Sequence, residues 1–151
     1  MKDKFIKFFF CFLILSNCGF KVSDDNLNFK ISDISLAGDK KVNYLIKNKL
    51  LMASDNENKN SIQLKISTKK LKSIKEKNIS NQITKYEITV NTQVELLSLK
   101  TGVMTEFTLT KSGFYDVSSK YSETLNQERN LIKLLVNEIS EDILDNLSDD
   151  L

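Results

Sequence analysis

The sequence predicts an α+β fold, a two-layer sandwich in which two helices pack on one face of a mostly antiparallel four-stranded sheet. The stretch Thr84–Leu96 alternates apolar and polar residues, as a strand with one buried and one solvated face does. Shorter alternating stretches predict three further strands. Two other segments carry apolar residues at spacings of three and four, which indicates amphipathic helices that cover the apolar face of the sheet.

The first strand begins at Phe29, with Ile31 and Ile34 in its pattern and a bulge expected near Asp33. Asp39 is predicted to be a helix N-cap, because an aspartate side chain accepts hydrogen bonds from the free N–H groups of a first turn. The short helix that follows has its buried stripe at Val42, Leu45, Ile46, Lys49 and Leu50.

A loop over residues 53–60 leads into a predicted hairpin. Its first arm alternates over residues 62–68 and continues weakly to Ile74, and a polar turn at residues 78–82 joins it to Thr84–Leu96. The end of the first arm is strongly basic. The lysines of this region are Lys69, Lys70, Lys72, Lys75 and Lys77.

The fourth strand follows a tight turn at Gly102 and alternates over residues 103–110. Gly113 is expected to interrupt this strand, which then resumes after a bulge. From Ser122 or Thr124 the period changes to 3.6, and Thr124 with Gln127 fits a capping box. The long helix has the apolar stripe Leu125, Leu131, Ile132, Leu135, Val136, Ile139, Ile143, Leu144 and Leu147.

The N-terminus has the features of an export signal. Three lysines lie in residues 1–7, ahead of an apolar run at 8–15 that is shorter than the ~20 residues needed to span a bilayer. The sequence Leu-Ser-Asn-Cys that ends at Cys18 resembles a bacterial lipobox, in which the cysteine is acylated and becomes the mature N-terminus. Asn17 departs from the small residue usual at that place. The alternative is an ordinary signal peptide with an incidental cysteine.

These features predict three segments: a lipoprotein signal peptide at 1–17, a lipidated N-terminus and tether at 18–28, and one α+β domain at 29–151. Cys11 lies in the signal, so Cys18 is the single thiol of the mature chain, and acylation explains an unpaired cysteine in an exported protein. Removal of the signal takes three lysines and one aspartate and leaves 19 basic and 19 acidic residues.

The composition argues against several classes of function. The chain has no histidine, so the usual catalytic triads and zinc sites are missing, and we expect no catalytic residues, metal or cofactor. Glu87 and Glu95 lie on the solvated face of one strand, roughly 26 Å apart by strand geometry, which is too far for paired carboxylate chemistry. A single arginine and a nearly balanced charge argue against a nucleic-acid partner.

The arrangement of these elements resembles LptE, the lipopolysaccharide-assembly outer-membrane lipoprotein family. The resemblance rests on the start Cys18-Gly19-Phe20, the strand end at 113–117 and the segment Tyr121–Leu147, and it covers essentially the whole mature chain. It implies a non-catalytic protein, lipid-anchored through Cys18 at the periplasmic face of the outer membrane.

The resemblance also implies partners. Members of the family plug and scaffold the LptD β-barrel translocon, assist its assembly and help to deliver lipopolysaccharide to the outer leaflet. Basic residues at one end of the sheet are implicated in lipopolysaccharide contact, and the five hairpin lysines occupy that region. Their other possible role is to solvate the hairpin and protect a strand edge. The alternative function is a free-standing lipoprotein that binds a protein or the cell wall, with an apolar patch on its solvated sheet face.

Overall fold

The computed structural model describes residues 29–55 and 60–149, and the predicted signal peptide, the tether and Cys18 lie outside them. It confirms the α+β class: two helices pack against a four-stranded mixed sheet. In chain order the elements are β1 (Lys30–Gly38), α1 (Lys40–Ala53), β2 (Ser61–Lys77), β3 (Ile83–Ser98), β4 (Met104–Asp116) and α2 (Tyr121–Asp149).

The strands lie side by side in the order β1-β2-β3-β4. β1 runs parallel to β2, and the other two pairs are antiparallel. The predicted alternating stretch lies within β3, which has 16 residues and pairs along most of its length with both neighbours. Its side chains Ile88, Val90 and Val94 are fully buried beneath the helices, as the period-two pattern predicts.

Two predictions about the first elements are confirmed. The register between β1 and β2 shifts between Ile31 and Asp33, which is the expected bulge. Asp39 caps α1, with its Oδ1 accepting hydrogen bonds from the backbone N–H groups of Lys41 at 3.1 Å and Val42 at 3.0 Å. The cap satisfies N–H groups that have no partner within the helix.

Gly38 ends β1 at a place that other residues cannot occupy. Its φ is +93°, and a Cβ there would lie 1.8 Å from the carbonyl oxygen of Thr68. The positive φ turns the chain out of the sheet and into α1, and the absence of a side chain allows the close contact with Thr68. β2 continues beyond its last partner in β1, so residues 69–77 have no strand on that side within the described chain.

The buried stripe of α1 differs from the predicted one at three positions. Asn43 is buried, whereas Leu45 and Lys49 are only half-buried. The Asn43 amide donates to the carbonyl oxygen of Ala37 at 2.8 Å, and its Oδ1 accepts from the Thr68 hydroxyl at 2.7 Å. These bonds offset the cost of burying a polar group, and they join α1 to two strands.

The predicted interruption at Gly113 is wrong. β4 runs through this residue with an unbroken register, and Gly113 lies opposite Ile88 of β3. A Cβ at Gly113 would lie 2.6 Å from Cδ1 of Leu131 in α2. The glycine therefore marks a close approach of the long helix to the sheet, which is a known use of glycine within strands.

The predicted capping box of the long helix is also wrong, although the helix begins one residue before Ser122, the earlier of the two predicted starts. α2 begins at Tyr121, so Thr124 and Gln127 lie inside the helix and do not form a capping box at its end. The Thr124 hydroxyl instead accepts a hydrogen bond from the backbone N–H of Ser118, at 2.9 Å, in the preceding loop. Within the described parts of the chain, neither helix is both long and apolar enough to cross a membrane.

Candidate functional site

The five candidate lysines of the hairpin do not form one surface. Lys70 and Lys72 lie opposite Val90 and Ile88, so they share the face of the sheet that carries the helices. Lys69 lies one position out of phase and faces the other side of the sheet, as side chains alternate along a strand. The candidate site is thus divided between two faces.

Lys72 lies in a polar cluster between the hairpin and α2. Its Nζ is 2.7 Å from Glu128 Oε2, and it lies 4.3 Å from the ring centroid of Tyr86 and 5.3 Å from that of Tyr115. The Tyr115 hydroxyl donates to the same Glu128 oxygen at 2.7 Å, and the two tyrosine rings stack with centroids 5.6 Å apart. One ammonium thus contacts a carboxylate and two aromatic faces.

The pKa directions agree with this geometry. Partial burial favours the neutral form of Glu128, but hydrogen bonds from Lys72 and Tyr115 outweigh it and lower the Glu128 pKa. Partial burial also disfavours the charged form of Lys72, but the bond to Glu128 outweighs that cost and raises the Lys72 pKa. Burial raises the pKa of the Tyr115 hydroxyl. The cluster therefore holds an ionised lysine–glutamate pair.

Lys70 is also bound within the fold. Its Nζ lies 3.1 Å from Oδ2 of Asp39, the residue that caps α1. Burial acts to raise the pKa of Asp39, but the backbone N–H of Val42 and the Lys70 ammonium outweigh it and lower that pKa. Lys70 therefore joins the first turn of α1 to β2.

The three remaining hairpin lysines are more exposed. Lys75 lies 3.6 Å from a Glu87 oxygen and 5.0 Å from the ring centroid of Phe114, on the outer face of the sheet. The Lys77 ammonium donates to Oδ1 of Asn81 at 3.0 Å, across the polar turn. Lys69 is exposed, and it has no ion pair with any residue that the structure describes.

A second basic surface lies on α1 and was not predicted from the sequence. Residues 40–53 include four lysines and no acidic residue. The lack of acidic residues in this segment could have predicted the basic surface. None of the four forms an ion pair within residues 29–55 and 60–149. They are Lys40, Lys41, Lys47 and Lys49.

Exposed apolar side chains accompany the lysines of α1. Tyr44 is 64% exposed and Met52 is 87% exposed, and Leu51 is also exposed. A surface pocket of about 480 Å³ lies where β1 ends beside α1. The residues that line it are Leu36, Gly38, Lys40, Asn43, Tyr44 and Lys47.

The outer sheet face is polar along its middle. Lys65 pairs with Glu95 at 2.7 Å, and the Thr110 hydroxyl donates to Asn91 Oδ1 at 2.7 Å. Glu87 and Glu95, which strand geometry places too far apart for paired carboxylate chemistry, each lie beside a lysine. No cluster of three metal-ligating His, Cys, Asp or Glu side chains occurs among the described residues.

No protein-family model matches the chain, and no curated protein matches it in sequence. Solved structures match in fold at low identity. Rare lipoprotein B from Shewanella oneidensis has a TM-score of 0.58 at 13% identity, covering 78% of this chain and 95% of its own. A Caulobacter crescentus CB15 protein described as a lipoprotein has a TM-score of 0.58 at 16% identity, covering 77% and 88%. Lipoprotein B from Nitrosomonas europaea has a TM-score of 0.53 at 14% identity, covering 86% and 90%.

Proposed function

We propose that this protein is an outer-membrane lipoprotein, anchored through Cys18, that plugs and scaffolds an LptD-like β-barrel and assists the delivery of lipopolysaccharide to the outer leaflet. The proposal depends on two features of the chain that occur together. The N-terminus resembles a lipobox, and the domain that follows has the fold of three proteins named as lipoproteins. The proposed role is binding and scaffolding, without catalysis or a cofactor.

The shape of the domain suits a plug. The lumen of a large membrane barrel is polar and wet, so a protein inside it needs polar outer faces and a rigid frame. The outer sheet face carries cross-strand polar pairs such as Lys65–Glu95. β3 extends over 16 residues and has a neighbouring strand on both sides. Ladder hydrogen bonds on both sides of a strand stiffen it along its length.

Two measurements test the anchor and the partner. Mass spectrometry of the mature N-terminus should find an acylated Cys18, and an unmodified Cys18 in the membrane fraction would remove the lipoprotein claim. Affinity purification from solubilised outer membranes should recover a large β-barrel protein with the chain. Recovery of the acylated chain alone would reject the plug and favour the free-standing lipoprotein.

The exposed hairpin lysines are the proposed lipopolysaccharide contacts. Lys69 and Lys77 are exposed without a carboxylate partner among the described residues, and the exposed Lys75 lies 3.6 Å from a Glu87 oxygen, whereas Lys70 and Lys72 lie closer to Asp39 and Glu128, at 3.1 and 2.7 Å. Ammonium groups bind phosphates and carboxylates of a glycolipid as point charges.

Reversal of the three exposed lysines to glutamate should therefore weaken lipopolysaccharide binding at low salt and leave the melting temperature nearly unchanged. Unchanged binding would leave edge protection as their role. Lys100→Glu, an exposed reversal at the opposite end of the hairpin, is the control.

The free-standing alternative has one observation in its favour. Leu71 and Phe114 are 47% and 55% exposed, and both point to the outer sheet face near the hairpin end. They lie on β2 and β4 and are separated by β3, so they do not form one continuous apolar patch. Substitution of Phe114 with Ser should abolish binding to a soluble partner if this alternative holds.

A further inference from the structure

The exposed side of α1 has a regular pattern of charged and apolar side chains. Lys40, Tyr44, Lys47 and Leu51 follow one another at spacings of four, three and four, so they form one ridge along the helix. The ridge is about 16 Å long at 1.5 Å per residue. Lys41 and Met52 flank it, and both are exposed.

The ridge is positively charged, and no acidic residue of α1 compensates that charge. α1 contains no acidic residue, and its lysines have no ion pair within the parts of the chain that the structure describes. The capping residue Asp39 is already bound to Lys70. Ammonium groups without a partner on one helix face create a local positive potential that attracts anions.

The exposed apolar side chains on and beside the ridge are unusual for a helix face that contacts only water. Single exposed apolar residues are common, but here Tyr44, Leu51 and Met52 all lie among lysines on one side. The apolar stripe of α1 packs on the core, so the helix offers a membrane its lysine side, where Tyr44, Leu51 and Met52 are also exposed. The adjoining pocket adds room for a headgroup beside Lys40 and Lys47.

We propose that, while the anchored domain is still outside a barrel, this face of α1 docks on the anionic phospholipid surface of the leaflet that holds the lipid anchor. The ammonium groups contact lipid phosphates, the Tyr44 ring lies at the headgroup level, and Leu51 and Met52 reach the start of the acyl chains. The membrane contact adds to the proposed anchor at Cys18 and rests on it.

The position of Phe29, the first residue that the structure describes, favours a membrane as the occupant. The backbone N–H of Asp55, just after α1, donates to the carbonyl oxygen of Phe29 at 3.1 Å, and the N–H of Ile31 donates to Ser54 Oγ at 2.9 Å. Cys18 precedes Phe29 by 11 residues, which reach about 38 Å when fully extended. An anchor at that distance keeps α1 at high effective concentration near the leaflet, so a weak contact suffices.

Docking through α1 also orients the domain. Both helices lie on one face of the sheet, so the outer sheet face would point away from the leaflet. The polar face and the exposed side of the hairpin would then be available to a protein partner while the anchor remains in the membrane.

The test uses the acylated protein, reconstituted into vesicles, with a single environment-sensitive fluorophore. Cys11 is lost with the signal and Cys18 is blocked by acylation, so an introduced cysteine is the single labelled site. Asn48→Cys places the label beside the ridge on α1, and Ser73→Cys places it on the outer sheet face. The vesicles contain phosphatidylethanolamine with or without phosphatidylglycerol, and iodide quenching measures the exposed fraction of the label.

We expect the label at residue 48 to be protected from iodide only in vesicles with phosphatidylglycerol, and the label at residue 73 to stay accessible in both. Neutralising Lys40 and Lys47 to glutamine should lower the docked-to-undocked ratio about 25-fold, at about fivefold per lysine near an anionic surface. The matched control, Lys65→Gln with Lys85→Gln, removes the same charge from the outer sheet face and should leave the ratio unchanged.

Equal accessibility at both labels in anionic vesicles overturns the proposal. Protection of residue 48 only in native membranes, and not in pure lipid, also overturns it and shows that α1 docks on a protein. Failure of the anchor is seen separately, as an unmodified Cys18 in the mass spectrum. In that case flotation of the Asn48→Cys chain with anionic vesicles still tests the α1 surface.

Discussion

The lysines of the β2–β3 hairpin and those of α1 are similar in number, five and four, but they differ in their density along the sequence and in their surroundings. In the hairpin, Lys70, Lys72 and Lys75 each lie within 4 Å of a carboxylate oxygen. On α1, four lysines have no carboxylate partner among the described residues. A basic stretch in sequence therefore does not locate a cationic surface, because distant acidic residues decide which charges remain uncompensated.

The largest effect that separates the two groups is expected at Lys72. Lys72→Glu would remove the ion pair and both ring contacts and would place a second carboxylate beside Glu128. We expect a loss of about 2–3 kcal/mol in the free energy of unfolding, as for hydrogen bonds to charged groups, moderated because the Lys72 side chain is 40% exposed. Urea denaturation measures it.

The same reversal on α1, Lys47→Glu, is the control for Lys72→Glu. It should change the free energy of unfolding by no more than about 0.5 kcal/mol, as for most surface substitutions. Equal losses for the two variants would show that the hairpin lysine is no more integrated into the fold than the helix lysine.

A smaller effect is expected at the link between the two regions. Asp39→Ala removes the N-cap of α1 and the partner of Lys70 together. The expected loss is about 1–2 kcal/mol, the upper half of the range for cap removal. Asp145→Ala, on the exposed side of α2, is the matched control, and thermal unfolding followed by circular dichroism compares them.

The paired carboxylates should also make stability sensitive to acid. The pKa values of Glu128 and Asp39 are lowered in the folded protein from their ordinary values of 4.5 and 3.8. Their contribution is therefore present above those ordinary values, and it declines as pH falls through the lowered folded pKa values. Glu128→Gln should show a shallower loss of stability below about pH 4.5 than the wild type. Parallel pH profiles would contradict the assigned pair.

The smallest effect is expected for the α1 lysines themselves. Neutralising Lys40 and Lys47 together should leave the free energy of unfolding within about 0.5 kcal/mol of the wild type, because neither has a carboxylate partner among the described residues. A gain in stability would indicate that like-charge repulsion along α1 strains the domain. Either result is read from the same urea titration as the Lys72 variant.

Local patterns predicted much of the fold. Alternation predicted β3, an extra residue near Asp33 predicted the bulge, and Asp39 predicted the start of α1. Each of these signals is contained in a few neighbouring residues, which is why it could be read without a structure.

The features that could not be predicted depend on contacts between distant segments. In the sequence, Gly113 indicated a strand break. Its role is visible only in the structure, where a Cβ at this position would lie 2.6 Å from Cδ1 of Leu131 in α2. The pair of Lys72 and Glu128 joins residues 56 positions apart, and no periodicity encodes such a partner. The predicted fold therefore agrees with the structure more closely than the predicted site does.

The unpaired length of β2 beyond Gly38 has a further consequence for self-association. An exposed strand edge is a template on which a second copy can add and begin an aggregate. Residues 69–77 carry five lysines and one glutamate, so two such edges brought together would repel each other. We therefore expect this segment to oppose polymerisation of the protein through its own sheet, whereas a strand rich in acidic residues could still join it.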